Sequence, residues 1–157
     1  MSDKFKKPLL TVWVIIILLV LLALGALPSG VLLILAPDGH LMHMPVSMLQ
    51  HSPFQNFLIP GLILAIFNGI YPLLAAWSLW KRPAWQWPEL FNPCKSKHWS
   101  WAATWAAGVI VMIWIAVQVL MVREIVFLHV LYFSWGLIVV LLTLLPNVQN
   151  YCKRKKV

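Results

Sequence analysis

Four long apolar stretches alternate with shorter polar segments along the chain, and nearly every charged residue lies between these stretches or at the ends. The stretches cover approximately residues 8–27, 57–80, 99–122 and 125–145. Each is close to the ~20 apolar residues that an α-helix needs to cross a bilayer core of roughly 30 Å. The pattern therefore predicts an all-α integral membrane protein. We expect a four-helix bundle in which residues 1–157 form a single transmembrane domain.

Local signals predict where the first two helices end and begin. The Pro-Ser-Gly segment at 28–30 should break or kink the first helix, because proline removes a backbone donor and crowds the preceding turn. Residues 31–35 would then be either a kinked extension or a short segment on the mouth of the bundle. Ser52 and Gln55 flank Pro53 in the pattern of a capping box, which predicts that the second helix starts at Pro53.

Small residues predict where helices approach each other closely. Gly61, Ala65 and Gly69 recur every fourth residue of the second stretch, so they lie on one face of a helix. In lipid, small residues at this spacing let helix backbones come into contact. We expect this face to pack within the bundle, because a chain with four helices must first pack against itself.

The charge distribution excludes a soluble protein and predicts an orientation. Apolar residues make up 62% of the chain and charged residues only 10%, against about 25% charged residues in soluble domains. The net charge of +8 comes from basic residues at both ends and between the second and third stretches, and the segment 28–53 contains no Lys or Arg. Cytoplasmic loops hold the excess of Lys and Arg. We therefore expect both termini inside (N-in/C-in) and an outer loop at 28–53, in a multi-pass protein.

The basic clusters are expected to contact anionic lipid headgroups at the cytoplasmic face, where each basic side chain contributes about 1 kcal/mol. These clusters are Lys4, Lys6 and Lys7, then Lys81, Arg82, Lys95 and Lys97, and finally Lys153, Arg154, Lys155 and Lys156. Nucleic acid is not an expected partner, because no RNA- or DNA-binding fold fits four apolar spans.

Polar and aromatic residues within the spans are the candidates for ligand binding. The candidates are Asn68, Trp114, Gln118, Glu124, His129 and Tyr132. A polar group that faces lipid is costly, so these side chains should point inward and form a polar pocket that opens outward. For Asn68 and Gln118, hydrogen bonds between helices are the structural alternative. Glu124 and His129 could donate or accept a proton at the mouth, or belong to a solvated turn.

The outer loop contains a second group of candidates: Asp38, His40, His43 and His51. Imidazole together with a thioether suits copper, so His40, His43 and Met44 would be its ligands. The alternative is an interfacial helix whose methionines pack on the bundle. Because no fixed ligand geometry is evident from the spacing, we expect no metal and no cofactor.

No reaction is indicated by a known motif, because the chain lacks a phosphate-binding glycine loop, H-E-x-x-H and Gly-x-Ser-x-Gly. The leading hypothesis is a small non-enzymatic membrane protein that binds a lipid, a small hydrophobic molecule or a partner subunit through the outer pocket and loop. The partner could be another membrane protein or a second copy of the chain. The alternative is a small membrane enzyme that acts on a lipid-like substrate with His and Glu as acid and base at the outer mouth.

A set of short motifs supports a family resemblance. They are Pro37-Asp38-Gly39, Met44-Pro45, Leu49, Ser52-Pro53-Phe54, Ile59-Pro60-Gly61, Asn68-Gly69, Trp114-Ile115 and Gln118. With these motifs the chain resembles a group of small bacterial four-span integral membrane proteins, from about residue 30 onward. The resemblance implies the four-span fold and a location in the bacterial inner (plasma) membrane. It implies no activity.

Overall fold

The computed structural model describes residues 9–154, and this part of the chain is all-helical, without a β-strand. Its long and short α-helical elements are α1 (Leu10–Leu35), α2 (Leu58–Lys81), α3 (Trp87–Leu90), α4 (Trp99–Val122), α5 (Phe127–Thr143) and α6 (Pro146–Cys152). Two short 3-10 helices, His40–Met42 and Val46–Leu49, lie between α1 and α2. The predicted lipid-contacting residues Lys4, Lys6, Lys7, Lys155 and Lys156, and the start of the first predicted stretch, lie outside the described residues.

Three helices, α1, α2 and α4, are each long and apolar enough to cross a membrane. Helix α5 has 17 residues, and at 1.5 Å per residue it reaches only about 26 Å. It qualifies as a fourth span only together with α6, from which it is bent by 66°. The protein is therefore all-helical with three or four candidate membrane-spanning helices.

Helix α1 continues through Pro28 to Leu35, so the expected break at 28–30 does not occur and the extension alternative is correct. The hydroxyl of Ser29 donates to the carbonyl of Gly25 at 2.8 Å. Proline is tolerated in apolar helices where side chains of this kind and neighbouring helices satisfy backbone groups near the ring.

Helix α2 begins at Leu58, so the capping box predicted at Ser52 is wrong. Ser52 instead closes a local turn, in which its hydroxyl donates to Leu49 O at 2.8 Å and accepts the N–H of Phe54 at 3.2 Å. Asn56 supplies the first hydrogen bond of the helix, because its side-chain oxygen accepts the N–H of Leu58 at 3.1 Å. Serine and asparagine side chains both accept hydrogen bonds from nearby backbone N–H groups, so the sequence pattern does not show which of the two lies at the start of the helix.

The expected packing of small residues on α2 is confirmed, because this face lies directly against α1. A Cβ atom added at Gly61 would lie 2.8 Å from Cβ of Leu33, and one added at Gly69 would lie 2.7 Å from Cγ of Leu27. Ala65 meets Gly30 of α1 in the same way. Helix α4 packs along α5, and contacts of α2 with α4 and of α1 with α5 join the two pairs.

The two ends of the helices differ in chemistry. The end that we call the histidine end contains residues 36–57 and the α4–α5 turn at 123–126, and Leu33, Leu49, Phe57 and Met121 pack there into one cluster. The opposite end, called the basic end, contains residues 82–98 and 144–154. Both ends of the described chain lie at the basic end, where Asn147 Nδ2 donates to Thr11 Oγ1 at 2.9 Å.

Candidate functional site

A groove with a volume of about 250 Å³ lies between α2 and α4. It is lined by Ile63, Phe67, Asn68, Ile110, Ile113, Trp114 and Val117. Pockets that enclose a whole drug-sized ligand usually measure about 300–1,000 Å³. The groove is slightly smaller, so it suits a hydrocarbon chain or a single ring system. The surface that lines it is entirely apolar, and Asn68 is the one lining residue with a polar side chain, whose amide is buried behind that surface.

Asn68 is the polar residue of the groove, and only 2% of it is exposed. Neither its side-chain oxygen nor its nitrogen has a hydrogen-bond partner within residues 9–154. The interhelical hydrogen bond considered from the sequence is therefore not formed by the described residues. Burying an amide without a partner costs about 1–3 kcal/mol by protein mutational data, so this side chain is expensive to keep for packing alone.

The backbone that holds Asn68 is unusual, because residues Leu64–Ile70 of α2 form a π-helix. Such segments are rare and occur frequently at functional sites, because the wider turn changes the direction of side chains. Here the wider turn coincides with the unpartnered amide. The α-helical periodicity of the sequence did not reveal it.

Trp114 forms the opposite wall of the groove and is 8% exposed. It belongs to a buried cluster with Leu22, Val111 and Ile115, and Tyr132 of α5 packs against this cluster. The structure therefore brings three predicted site residues into one region, with Asn68 and Trp114 in the groove and Tyr132 behind it.

The remaining span candidates do not line the groove. Gln118 is half-buried one turn beyond Trp114, and Glu124 is exposed in the α4–α5 turn. His129 lies in the first turn of α5, where its Nδ1 accepts the N–H of Val126 at 3.3 Å. These polar groups are thus spread apart at the histidine end, and the groove that exists is apolar with the buried amide of Asn68 beside it.

The outer-loop candidates lie at the histidine end and are exposed to the surroundings. Asp38 Oδ1 and His40 Nδ1 are 2.6 Å apart, with the two side chains 67% and 65% exposed. The hydrogen bond from His40 lowers the pKa of the Asp38 carboxyl. His43 and His51 are exposed as well. Met44 packs against the buried cluster at this end, whereas Met48 is 37% exposed. Of these two methionines, the packing alternative therefore holds for Met44 alone, and Met44 lies outside a helix.

The copper hypothesis for His40, His43 and Met44 gains no support from this geometry. Among the described residues, no three His, Cys, Asp or Glu side chains are grouped so that they could hold a metal ion.

A polar network at the basic end was missed by the sequence analysis, and Glu89 is its centre. One carboxylate oxygen of Glu89 accepts the backbone N–H of Trp99 at 3.1 Å, and the other accepts from Asn92 Nδ2 at 2.9 Å. Arg154 Nη1 lies 3.4 Å from the second oxygen. The signal in the sequence was a lone carboxylate in an otherwise basic segment, but its partner Arg154 is far away along the chain.

His98 caps the start of α4 within the same end. Its Nε2 lies 3.0 Å from the carbonyl oxygen of Pro83, which can only accept, so this nitrogen carries the proton. Its Nδ1 then accepts the N–H of Ser100 at 3.2 Å. Burial lowers the pKa of His98, and the hydrogen bond from Nε2 to Pro83 O opposes this shift without outweighing it.

Hydrogen bonds join the last described residues to the loop between α2 and α4. The N–H of His98 donates to Cys152 O at 2.8 Å, and the N–H of Arg154 donates to Ser96 O at 3.0 Å. Arg82 Nη1 donates to Tyr151 O at 2.9 Å, with its guanidinium 4.5 Å from the centre of the Tyr151 ring. We call this set of contacts the terminal clasp. It gives the loop a defined shape at the end of the helices.

Comparison with known proteins identifies no relative of this chain. No family model matches the chain, and no curated protein or solved structure matches it. The fold defines the class of the protein, which is all-helical with three or four candidate membrane-spanning helices. The α2–α4 groove is its candidate functional site.

Proposed function

We propose that this chain is a non-enzymatic, multi-pass protein of the bacterial inner membrane that binds a lipid or a small hydrophobic molecule in the α2–α4 groove. In this proposal α5 and α6 form one bent span, which completes a four-helix bundle with both termini in the cytoplasm. The position of Thr11 beside Asn147 supports termini on one side. Arg123 is the one Lys or Arg of the described chain at the histidine end, which supports a cytoplasmic basic end.

The observation that carries the binding function is the unpartnered amide of Asn68, which is buried directly beside an apolar groove. In hydrocarbon no bulk water is present to satisfy the amide, so a partner must come from protein, ligand or a trapped water. A ligand with a hydroxyl, carbonyl or amide group on a hydrocarbon body matches this site. Its apolar part would fill the groove, and its polar group would pair with Asn68.

The rim of the groove indicates how such a ligand would enter. Phe67, Ile113 and Val117 line the groove and are 48%, 58% and 37% exposed. These apolar side chains lie within candidate spans, where the surroundings are acyl chains rather than water. The groove would therefore be filled sideways from the bilayer, which favours ligands that already partition into lipid.

Acid–base chemistry has no comparable support in the groove. Of the residues proposed for an enzyme, Glu124 is exposed in a turn, His129 caps its own helix, and Asp38 pairs with His40 on the surface. No two of them line the groove. We therefore propose binding without catalysis.

The proposal can be tested by the molecules that co-purify with the protein. Wild type, Asn68→Leu and Val117→Trp would be purified in mild detergent, and bound molecules would be identified by native mass spectrometry. Leu removes the amide at similar volume, whereas Trp at the rim obstructs the groove. Leu120→Trp is the matched control, because Leu120 lies on the same helix, is 72% exposed and does not line the groove.

We expect a defined hydrophobic molecule on wild type and on Leu120→Trp, and a large reduction on the other two variants. If all four proteins carry the same lipids in the same amounts, the groove is not a binding site and the proposal is wrong.

A further inference from the structure

A short apolar projection stands out at the basic end. Helix α3 and the residue that follows it expose Trp87, Leu90 and Phe91 by 63%, 78% and 82%. We call these three residues the loop tip. Bulky apolar side chains exposed together at one turn mark an interaction surface, and the loop tip lies within the connection between two candidate spans, α2 and α4.

We propose that the loop tip inserts into the headgroup layer of an anionic lipid leaflet, the leaflet that borders the basic end. This interaction surface is separate from the α2–α4 groove and does not depend on what the groove binds. The occupant follows from the position and charge of the surrounding residues.

The only acidic side chain of the described basic end is turned away from this surface. Glu89 lies within α3, yet its side chain is only 14% exposed. Its oxygens are occupied by the N–H of Trp99 and the amide of Asn92. Lipid phosphates that approach the loop tip would thus meet no exposed carboxylate from this part of the chain.

Cations are held close to the loop tip instead. Lys95 Nζ donates to the carbonyl oxygen of Glu89, and Arg154 Nη1 lies 3.4 Å from the Glu89 carboxylate while its side chain stays 50% exposed. Lys153 is exposed as well. Its backbone pairs with that of Lys97 in an isolated antiparallel bridge, which places it on the same loop. An apolar projection with flanking cations is the combination that binds the interface of anionic membranes.

The surrounding contacts fix the orientation of the projection. The terminal clasp joins residues 96–98 to residues 152–154, and Asn92 donates a second hydrogen bond to Lys97 O at 2.9 Å. These contacts hold α3 with Glu89 inward and Leu90 and Phe91 outward. An ordered loop of this kind loses little conformational freedom when it enters the interface.

Depth measurements on the full chain in lipid nanodiscs would test the proposal. A nitroxide at Phe91→Cys would be compared with one at Gln86→Cys, an exposed polar position on the same loop just before α3. Both proteins would carry Cys94→Ser, and the buried Cys152 contributes the same background to both. The readout is the accessibility of each label to oxygen, which dissolves in lipid, relative to a water-soluble nickel complex. Circular dichroism would check that both variants are folded.

We expect the label at 91 to favour oxygen several-fold over the label at 86. Phosphatidylglycerol in the disc should deepen the label at 91 relative to discs of phosphatidylcholine alone, and Lys95→Gln with Lys153→Gln should remove that dependence. Equal accessibility of both labels to the nickel complex would overturn the proposal. The proposal would also be overturned if the label at 91 were accessible to the nickel complex in nanodiscs but inaccessible to it in native membrane vesicles. The loop tip would then bind a protein of the native membrane.

Discussion

Gly108 and Gly136 allow the backbones of α4 and α5 to touch, and Gly108→Ala tests how tightly this pair is packed. A Cβ at Gly108 would lie 2.7 Å from the carbonyl oxygen of Gly136 and 2.8 Å from Cγ2 of Val140. Ordinary contact begins at 3.4 Å, so the helices would have to separate by about 0.7 Å. Overpacking of this kind costs about 1–3 kcal/mol. The better helix propensity of alanine offsets up to ~1 kcal/mol, so we expect a net loss of about 1–2 kcal/mol.

The loss can be measured by reversible unfolding in mixed micelles of mild detergent and sodium dodecyl sulfate. Gly25→Ala is the matched control, because its Cβ would meet only the flexible end of Tyr132, at 3.1 Å. The control should lose no stability, and the better helix propensity of alanine should raise its free energy of unfolding by up to ~1 kcal/mol. The double variant Gly108→Ala/Gly136→Ala should lose less than the sum of the singles, because one separation of the helices relieves both clashes. Wild-type stability for Gly108→Ala, or an equal loss for Gly25→Ala, would refute this description of the α4–α5 contact.

Three further predictions concern the ends of the helices. Arg123→Gly should raise the free energy of unfolding by about 0.5–1 kcal/mol, because Arg123 has φ of 57° and glycine adopts this conformation without strain; Glu124→Gly, outside that conformation, should give no gain. Glu89→Ala should lower it by about 1–3 kcal/mol by leaving the N–H of Trp99 unpaired, with the exposed Glu124→Ala as control. The pKa of His98 is lower in the folded protein than its value of 6.5 in the unfolded chain. The stabilisation by neutral His98 is therefore complete above pH 6.5 and should be lost as the pH falls below 6.5, because the unfolded chain then takes up the proton first.

Unfolding midpoints in the same micelles at several pH values check the three effects. In His98→Gln the free energy of unfolding should change less with pH below 6.5 than in wild type, because glutamine has no ring that takes up a proton there. A steeper loss of stability in His98→Gln, a destabilised Arg123→Gly, or equal effects of Glu89→Ala and Glu124→Ala would each contradict the corresponding contact.

The candidate spans were predictable because apolar length is a property of the sequence itself. The stretch predicted at 99–122 coincides with α4, and the stretch predicted at 57–80 is within one residue of α2. Boundaries that depend on a choice between local hydrogen bonds were less predictable. Ser52 and Asn56 both cap turns readily, and only the folded chain shows that Asn56 precedes the helix.

The site was only partly predictable, for a different physical reason. Burial of Asn68 and Trp114 follows from their place in apolar helices, and both line the groove. The predicted polar pocket also included Glu124, whereas this residue is exposed in the α4–α5 turn, in agreement with the solvated-turn alternative. The pairing of Glu89 with Arg154 joins distant parts of the chain, and no local pattern encodes such a contact.

The central claim is that the amide of Asn68 pairs with a ligand from the membrane. The most direct test is nuclear magnetic resonance of protein that retains its co-purified lipids, with Asn68→Leu used to assign the side-chain amide signals of Asn68. The account predicts nuclear Overhauser contacts between these amide protons and protons of a non-protein, hydrophobic molecule. Contacts confined to protein protons or to water would contradict it.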